Sequence, residues 1–301
     1  MAQFLAQSTQ DEILLGTRIH ANPPSWLPQA GVVSTRWNAP TQLLEISAGV
    51  DVIVHLAGMN AQDCVDDPVS ALEINALATA RLLQAAVGSG VKRFIYVSTA
   101  HVYGNPLVGT ITEETCPVSL HPYATSHRAG EDAVRRAHRQ VAIEGIVIRL
   151  SNAFGAPVHK EANCWMLLVN DLCRQAVTTG RMVLQTSGTQ RRDFIALTDA
   201  CRAIGHLLRL PVEKLGDGLF NVGGAWAPTI LEMTQHVAAR IHVVTGNRPE
   251  ILRKEDPQTE SSEILDYGMK KLIGTGFSVN GSGVIDREID ALIRFCLEDS
   301  G

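Results

Sequence analysis

Three short apolar runs constrain the fold of this 301-residue chain more than any other feature. They are Asp51-Val52-Ile53-Val54-His55-Leu56-Ala57-Gly58, Arg93-Phe94-Ile95-Tyr96-Val97-Ser98-Thr99 and Ile146-Val147-Ile148-Arg149-Leu150. A strand with one wet face alternates apolar and polar residues, whereas a strand covered on both faces does not, so continuous runs of this length read as buried parallel strands. Between the first two runs, Asp67-Pro68 opens a stretch with apolar residues at Ala71, Leu72, Ile74, Leu77, Ala78, Leu82 and Ala86, which is helical spacing. Strand, helix and strand in that order imply an open α/β sheet, and such sheets bind ligands beyond the carboxyl ends of their strands. Ser98 and Thr99 stand at one such end. The small residues that close the first run let backbone pass close to a ligand at another.

The loop after the second run leads to Pro122-Tyr123-Ala124-Thr125-Ser126-His127-Arg128-Ala129-Gly130-Glu131. Proline suits the first turn of a helix, and Tyr123 and His127 are four residues apart, so both project from one face of that helix. A hydroxyl, a phenol and an imidazole are thereby directed toward one cleft.

Composition excludes several classes. With 45% hydrophobic and 19% charged residues the chain is neither disordered nor fibrous, and a net charge of −5 gives no general attraction to nucleic acid or anionic lipid. Six cysteines are scattered without a Cys-x-x-Cys pair, which implies reduced thiols in a cytoplasm and no metal site. No apolar run approaches the length of a membrane span, and no secretory leader pattern is visible.

The stretch Ser98-Thr99-Ala100-His101-Val102-Tyr103-Gly104 followed by Pro122-Tyr123-x-x-Ser126-His127-x-x-x-Glu131 resembles the extended short-chain dehydrogenase/reductase family, the NAD(P)-dependent sugar-nucleotide epimerases and dehydratases. The family pattern reads Ser-Ser/Thr-x-x-Val-Tyr-Gly and Pro-Tyr-x-x-Ser-Lys-x-x-x-Glu. Its lysine alone is replaced, by His127. Further matches are Asp51-x-Ile53-x-His55-Leu56-Ala57-Gly58, where the family has Asp-x-Val-x-His-Leu-Ala-Ala/Gly, Asn75, Arg149-x-x-Asn152-x-Phe154-Gly155, Arg192-Asp193-Phe194-Ile195 and a closing region at 266–277.

The resemblance implies a Rossmann-like, doubly wound parallel sheet with a smaller α/β substrate lobe. Residues 1–155 would form the cofactor-binding domain, with 194–222 returning to it, and 156–301 would be mainly the substrate lobe. Thr99, Tyr123 and His127 would be catalytic. Arg18, Leu56, Ala57, Gly58, Asn75, Ser98, Tyr123 and His127 would line the cofactor, and Thr99, His101, Asn152, Arg192 and Arg253 the substrate. His55 reads as a core histidine bonded to backbone. The cofactor would be NAD(P), with NADP favoured because Gly16-Thr17-Arg18 supplies a guanidinium and no acid after its strand. The partner would be a nucleotide sugar, and the helices at 71–87 and 123–139 would pair two copies into a homodimer.

Two departures from the pattern shape the expected activity. The family's first strand and its Gly-x-x-Gly-x-x-Gly turn, which cradle the pyrophosphate, do not precede the strand at 12–18; they are either encoded upstream or absent from a cofactor-poor relative. In the doubly wound order the missing strand lies between the second and the fourth. The lysine's permanent charge is replaced by an imidazole of reference pKa about 6.5, which predicts slower chemistry or a more acidic optimum. Dehydratases of the family carry Asp-Glu after the active-site Thr, and this chain has Ala100-His101 there. Epimerase or keto-sugar reductase is therefore the expected activity, the reductase slightly favoured because Arg18 suits NADPH, with a non-catalytic nucleotide-sugar-binding relative as the alternative.

Overall fold

The computed structural model of the protein describes residues 1–18, 22–254 and 263–299. The chain runs through α1 (Ala2–Ser8), β1 (Leu14–Thr17), β2 (Gly31–Ser34), α2 (Pro40–Ser47), β3 (Val52–His55) and α3 (Ala61–Asp66). Next come α4 (Pro68–Ala71), a π-helical segment (Leu72–Ala78), α5 (Thr79–Gly88), β4 (Arg93–Thr99), β5 (Gly109–Ile111), α6 (Pro122–Arg139) and β6 (Glu144–Leu150). The remainder is β7 (Asn152–Phe154), α7 (Leu168–Thr179), β8 (Arg181–Leu184), β9 (Phe194–Ala196), α8 (Leu197–Arg209), β10 (Leu219–Val222), α9 (Ile230–Thr245), β11 (Glu250–Arg253), β12 (Leu265–Tyr267), α10 (Lys270–Gly274) and α11 (Ser282–Asp299).

These elements fold as two compact units. The first holds the described residues of Met1–Val102, Pro117–Arg149 and Ile204–Phe220, and the second those of Tyr103–Cys116, Leu150–Ala203 and Asn221–Gly301. The first unit is built on a four-stranded sheet of order β10-β6-β4-β3, with β3 parallel to β4. Phe94, Tyr96 and Val147 from this sheet pack against Leu82, Leu83 and Ala86 of α5 and Val134 of α6. Those residues alternate along their strands and line one face, and Ile95, Ile146 and Ile148 on the opposite face are fully buried too, so these two runs need no polar alternation.

Strands β1 and β2 pair in parallel as a separate two-stranded sheet. The division falls between β1 and β3, the second and fourth strands of the family order.

The helix expected from 68 onward is one rod with a π-helical interior. Asp67 starts it, accepting hydrogen bonds from the Ser70 amide at 3.0 Å and the Ser70 hydroxyl at 2.6 Å, with Pro68 in the first turn. The widened turn at Leu72–Ala78 carries the fully buried Asn75, and π segments of this kind occur most often at functional sites.

In the second unit, Phe154, Phe194 and Ala196 of the paired strands β7 and β9 share a core with Leu172 of α7, Met233 and Val237 of α9, and Ile289 and Leu292 of α11. Helix α9 begins at a capping box in which Thr229 accepts from the Glu232 amide and Glu232 accepts from the Thr229 amide. Among the described residues, no helix is long and apolar enough to cross a membrane.

Candidate active site

Strand β4 ends at Ser98 and Thr99, both buried, and each is fixed differently. Ser98 Oγ donates to Glu131 Oε1 at 2.5 Å, and Glu131 also takes Arg149 in a two-point contact at 2.6 and 3.1 Å. This buried trio joins β4, α6 and β6 directly behind the reactive residues. Thr99 Oγ1 accepts the His101 amide at 3.2 Å and stands near the Tyr123 phenol. Burial pushes that phenol up from its usual range and the Thr99 hydroxyl pulls it the other way, so at neutral pH Tyr123 keeps its proton.

Helix α6 presents Tyr123 and His127 on one face, as the four-residue spacing predicts. Their ring centroids are 4.6 Å apart, edge to face, and His101 stands 6.1 Å from Tyr123, also edge to face. Asn75 anchors this helix to the end of β3: its Oδ1 accepts the Met59 amide at 2.8 Å and its Nδ2 donates to Ser126 Oγ at 3.0 Å. Thr99, Tyr123, His127, Ser98, Asn75 and His101 are therefore brought together. Leu56, Ala57 and Gly58 leave β3 exposed beside them. Arg18 is exposed after the end of β1 and is not brought into this group.

His127 lies deeper than a solvated imidazole would. It is 5% exposed, its Nδ1 sits 2.8 Å from the Tyr96 hydroxyl, and burial with His55 and His101 nearby drives its pKa down to about 4. It is neutral throughout the physiological range, so the structure gives no support to an acidic optimum arising from its protonation. His55 is a core histidine, also held down to about 4 by burial, but its partner is the Thr79 hydroxyl at 3.0 Å rather than backbone.

The second unit holds the other residues. Asn152 Nδ2 donates to the Asp193 carbonyl oxygen at 2.9 Å, which ties β7 to the segment bearing Arg192 and leaves the amide a further N–H and its carbonyl. Arg192 is half-buried, burial lowers its pKa, and its guanidinium donates to the neutral Gln190 side chain at 3.5 Å. A half-buried guanidinium facing an amide rather than a carboxylate suits an incoming anion. Arg253, exposed at the end of β11, donates to the Ser187 carbonyl oxygen at 3.3 Å, near the start of the same segment.

Two contributors are not evident from sequence. Tyr96 reads as a core aromatic in a buried strand, yet its hydroxyl touches His127. Asp193, whose pKa burial raises to about 6, receives the Gly224 amide at 2.8 Å and the Trp226 amide at 3.3 Å and so holds the turn next to Arg192. Its only sequence signal is the Arg-Asp pairing itself.

A dinucleotide can be tested against these residues. A Cβ on Gly58 would come within 3.1 Å of Asn75 Oδ1 and 3.4 Å of the His127 ring, so glycine lets the end of β3 lie over that ring with its backbone open. With the Thr99 and Tyr123 hydroxyls alongside, this donor set fits the nicotinamide-ribose end. No residue among those described is assigned to the pyrophosphate.

A family model described as the NAD dependent epimerase/dehydratase family matches residues 1–223, and the chain belongs to that family. It is 29% identical over 194 residues to a dTDP-glucose 4,6-dehydratase of Streptomyces niveus, covering 64% of this chain and 55% of that protein. It is 30% identical over 210 residues to a dTDP-glucose 4,6-dehydratase of an Actinoplanes species, covering 66% of this chain and 62% of the other. The chain thus spans less than two-thirds of the length of these curated relatives. Its fold is similar to that of a UDP-N-acetylglucosamine 4-epimerase from Methanobrevibacter ruminantium, with a TM-score of 0.81 at 18% identity, over 99% of this chain and 94% of that one.

Proposed function

We propose that this chain acts on a nucleotide-activated sugar as an NAD(P)-dependent epimerase or keto-sugar reductase, with Tyr123 as the acid/base. The observation that carries this reading is the convergence of the Thr99 hydroxyl, the Tyr123 phenol and the His127 imidazole beside the exposed end of β3. Leu56, Ala57 and Gly58 would line the cofactor with Tyr123 and His127. When bound, the cofactor gives hydride to, or takes it from, the sugar carbon.

The chain's residues manage the matching proton. Tyr123 carries it to or from the sugar oxygen, and the neighbouring Thr99 hydroxyl shares it. In the second unit, Arg192 grips the nucleotide diphosphate and Asn152 adds an amide donor; Arg253 is a second cation for the same phosphates. Arg18, exposed after β1 with no acid beside it, favours NADP over NAD. Ala100 and His101 replace the acidic pair expected of a dehydratase, so His101 is a substrate contact in this reading.

The chain works as a homodimer in this reading. Val69, Leu72 and Leu77 are 68%, 49% and 48% exposed along the helix from Pro68, enough apolar surface for a seam. On α6 the exposed residues are mostly charged, including Arg128, Asp132 and Arg136, with Ala129 among them, so the first helix supplies most of that seam.

Turnover decides the reading. The chain with NADPH or NADH and a UDP- or dTDP-linked keto sugar is expected to lose reduced-cofactor absorbance, and Tyr123→Phe is expected to abolish the loss. Activity that survives this change removes Tyr123 from the mechanism.

A further inference from the structure

His127 spends one ring nitrogen on the protein and turns the other toward a ligand. The ring's orientation is fixed by Nδ1, which lies 2.8 Å from the Tyr96 hydroxyl oxygen. Turned over, the ring would put a carbon at that distance, inside even a weak C–H···O contact of about 3.3 Å. Tyr96 stacks on both His127 and His55, with centroids 5.8 and 5.7 Å apart. Helix α6 admits the Tyr96 hydroxyl at Gly130, where a Cβ would fall 2.9 Å from Oη and 2.7 Å from the Asn75 carbonyl oxygen, both too close.

The protons are placed by the one group in this cluster that has none to give. The Asn75 carbonyl oxygen accepts the Tyr96 hydroxyl at 3.1 Å and the Thr79 hydroxyl at 2.8 Å. Tyr96 has a single proton, which burial keeps on the phenol, and it is committed to that carbonyl. The phenol oxygen therefore meets His127 as an acceptor, and Nδ1 carries the hydrogen. By the same logic His55 Nε2 donates to the Thr79 hydroxyl at 3.0 Å.

A neutral imidazole has one N–H, so Nε2 of His127 is bare. Burial and the neighbouring His55 and His101 imidazoles oppose protonation of the ring and bring its pKa down to about 4. The other titratable groups around it are Tyr96 and Tyr123, with Cys64 beyond Tyr123, and the Glu131 carboxylate one turn along α6 is taken by Arg149 and Ser98. The side chain is 5% exposed, yet Nε2 has no hydrogen-bond partner among the described residues and is not one of the atoms sealed from solvent. It is directed at the end of β3, 3.6 Å from the point a Gly58 Cβ would occupy. A polar atom set this deeply and left unpaired costs free energy unless water or a ligand meets it.

We propose that Tyr96, anchored on the Asn75 carbonyl, is a positioning residue that holds His127 as the Nδ1–H tautomer, and that the bare Nε2 is an acceptor for a sugar hydroxyl, that of the cofactor's nicotinamide ribose. The choice of the ribose rests on the reading that places the cofactor beside His127. An acceptor here inverts what the lysine of the family pattern offers. An ammonium has three donors and no acceptor, so it meets an anionic oxygen as readily as a hydroxyl, whereas a bare nitrogen meets only a group with a hydrogen to give. The lone pair thus selects a hydroxyl against a phosphate or carboxylate. His127 also orients that hydroxyl without relaying its proton, because Nδ1–H leads through Tyr96 to a main-chain carbonyl.

The test reads the imidazole directly and needs no turnover. In the full chain with 15N-labelled histidine, His127 is assigned by the signal that His127→Gln removes. At neutral pH the expected spectrum has a protonated Nδ1 and a bare Nε2. Saturating NADH or NADPH is expected to shift the bare nitrogen upfield, as acceptance of a hydrogen bond does, with Nδ1–H kept. UDP-glucose alone is expected to leave it in place. Tyr96→Phe keeps the ring stack and deletes only the hydroxyl, and it is expected to release the two tautomers into exchange. A wild-type spectrum with Nε2–H or imidazolium near pH 7 would overturn the proposal even where the variant fails to fold. So would a folded Tyr96→Phe protein with the wild-type tautomer. A bare Nε2 that moves with UDP-glucose alone, or with neither ligand, overturns the ribose as its donor and leaves the tautomer standing. Retained turnover in Tyr123→Phe defeats the Tyr123 assignment alone.

Discussion

Arg149 and Glu131 meet in a fully buried two-point ion pair, Nη2 to Oε2 at 2.6 Å, and the same carboxylate receives the Ser98 hydroxyl. The pair lies one residue behind Thr99 and one helical turn beyond His127. Removing one member leaves a buried charge without its counterion, which costs on the order of 3–5 kcal/mol. Glu131→Ala is therefore expected to destabilise the first unit by that amount in denaturant unfolding. Replacing both residues with apolar side chains of similar volume is expected to cost far less.

Acid should destabilise the protein through its two buried histidines. His55 and His127 both have folded pKa values of about 4 against a reference of 6.5. The unfolded chain binds protons that the folded one refuses, so their contribution is fully present above about pH 6.5 and is lost as the pH falls toward 4. Each contributes roughly 3 kcal/mol over that window. Asp193, raised to about 6, acts in the opposite direction, gaining stability on acidification, but by a smaller shift than the two histidines together. Thermal melting between pH 7 and pH 4.5 is expected to fall, and His127→Gln is expected to flatten the fall.

Converting His127→Lys is expected to raise turnover in the alcohol-oxidising direction near pH 7. A cation beside Tyr123 lowers the phenol pKa and shifts the pH-rate profile to more acidic values. A profile that does not move would show that residue 127 does not act on the phenol.

Arg192→Ala is expected to raise KM for the nucleotide sugar by one to two orders of magnitude with a smaller effect on kcat, because a phosphate contact made equally in ground and transition states contributes uniform binding. Arg192→Lys is expected to recover only part of the loss, since an ammonium does not reproduce the two-point fork. Steady-state kinetics with the full nucleotide sugar and with the free sugar separates phosphate binding from sugar binding.

Light scattering is expected to show a dimer at micromolar concentration, and Leu72→Glu combined with Leu77→Glu is expected to produce a monomer. A wild-type monomer would remove the apolar seam along the Pro68 helix as an interface.

The sequence by itself determined the strand runs, the helix opening at Pro122 and the spacing that puts Tyr123 and His127 on one face. These depend on periodicity and on local backbone chemistry, which neighbouring residues carry. It also singled out Asn75, because that residue stands within a longer pattern. Only the tertiary structure decided the charge of His127. An imidazole of reference pKa about 6.5 is cationic or neutral according to what surrounds it, and here the surroundings come chiefly from β3 and β4, which are distant in sequence. Tyr96 was illegible for the same reason. A tyrosine in a buried strand has the same signature whether or not its hydroxyl also meets an imidazole, and that contact rests on which side chain a separate helix delivers to within 2.8 Å of it.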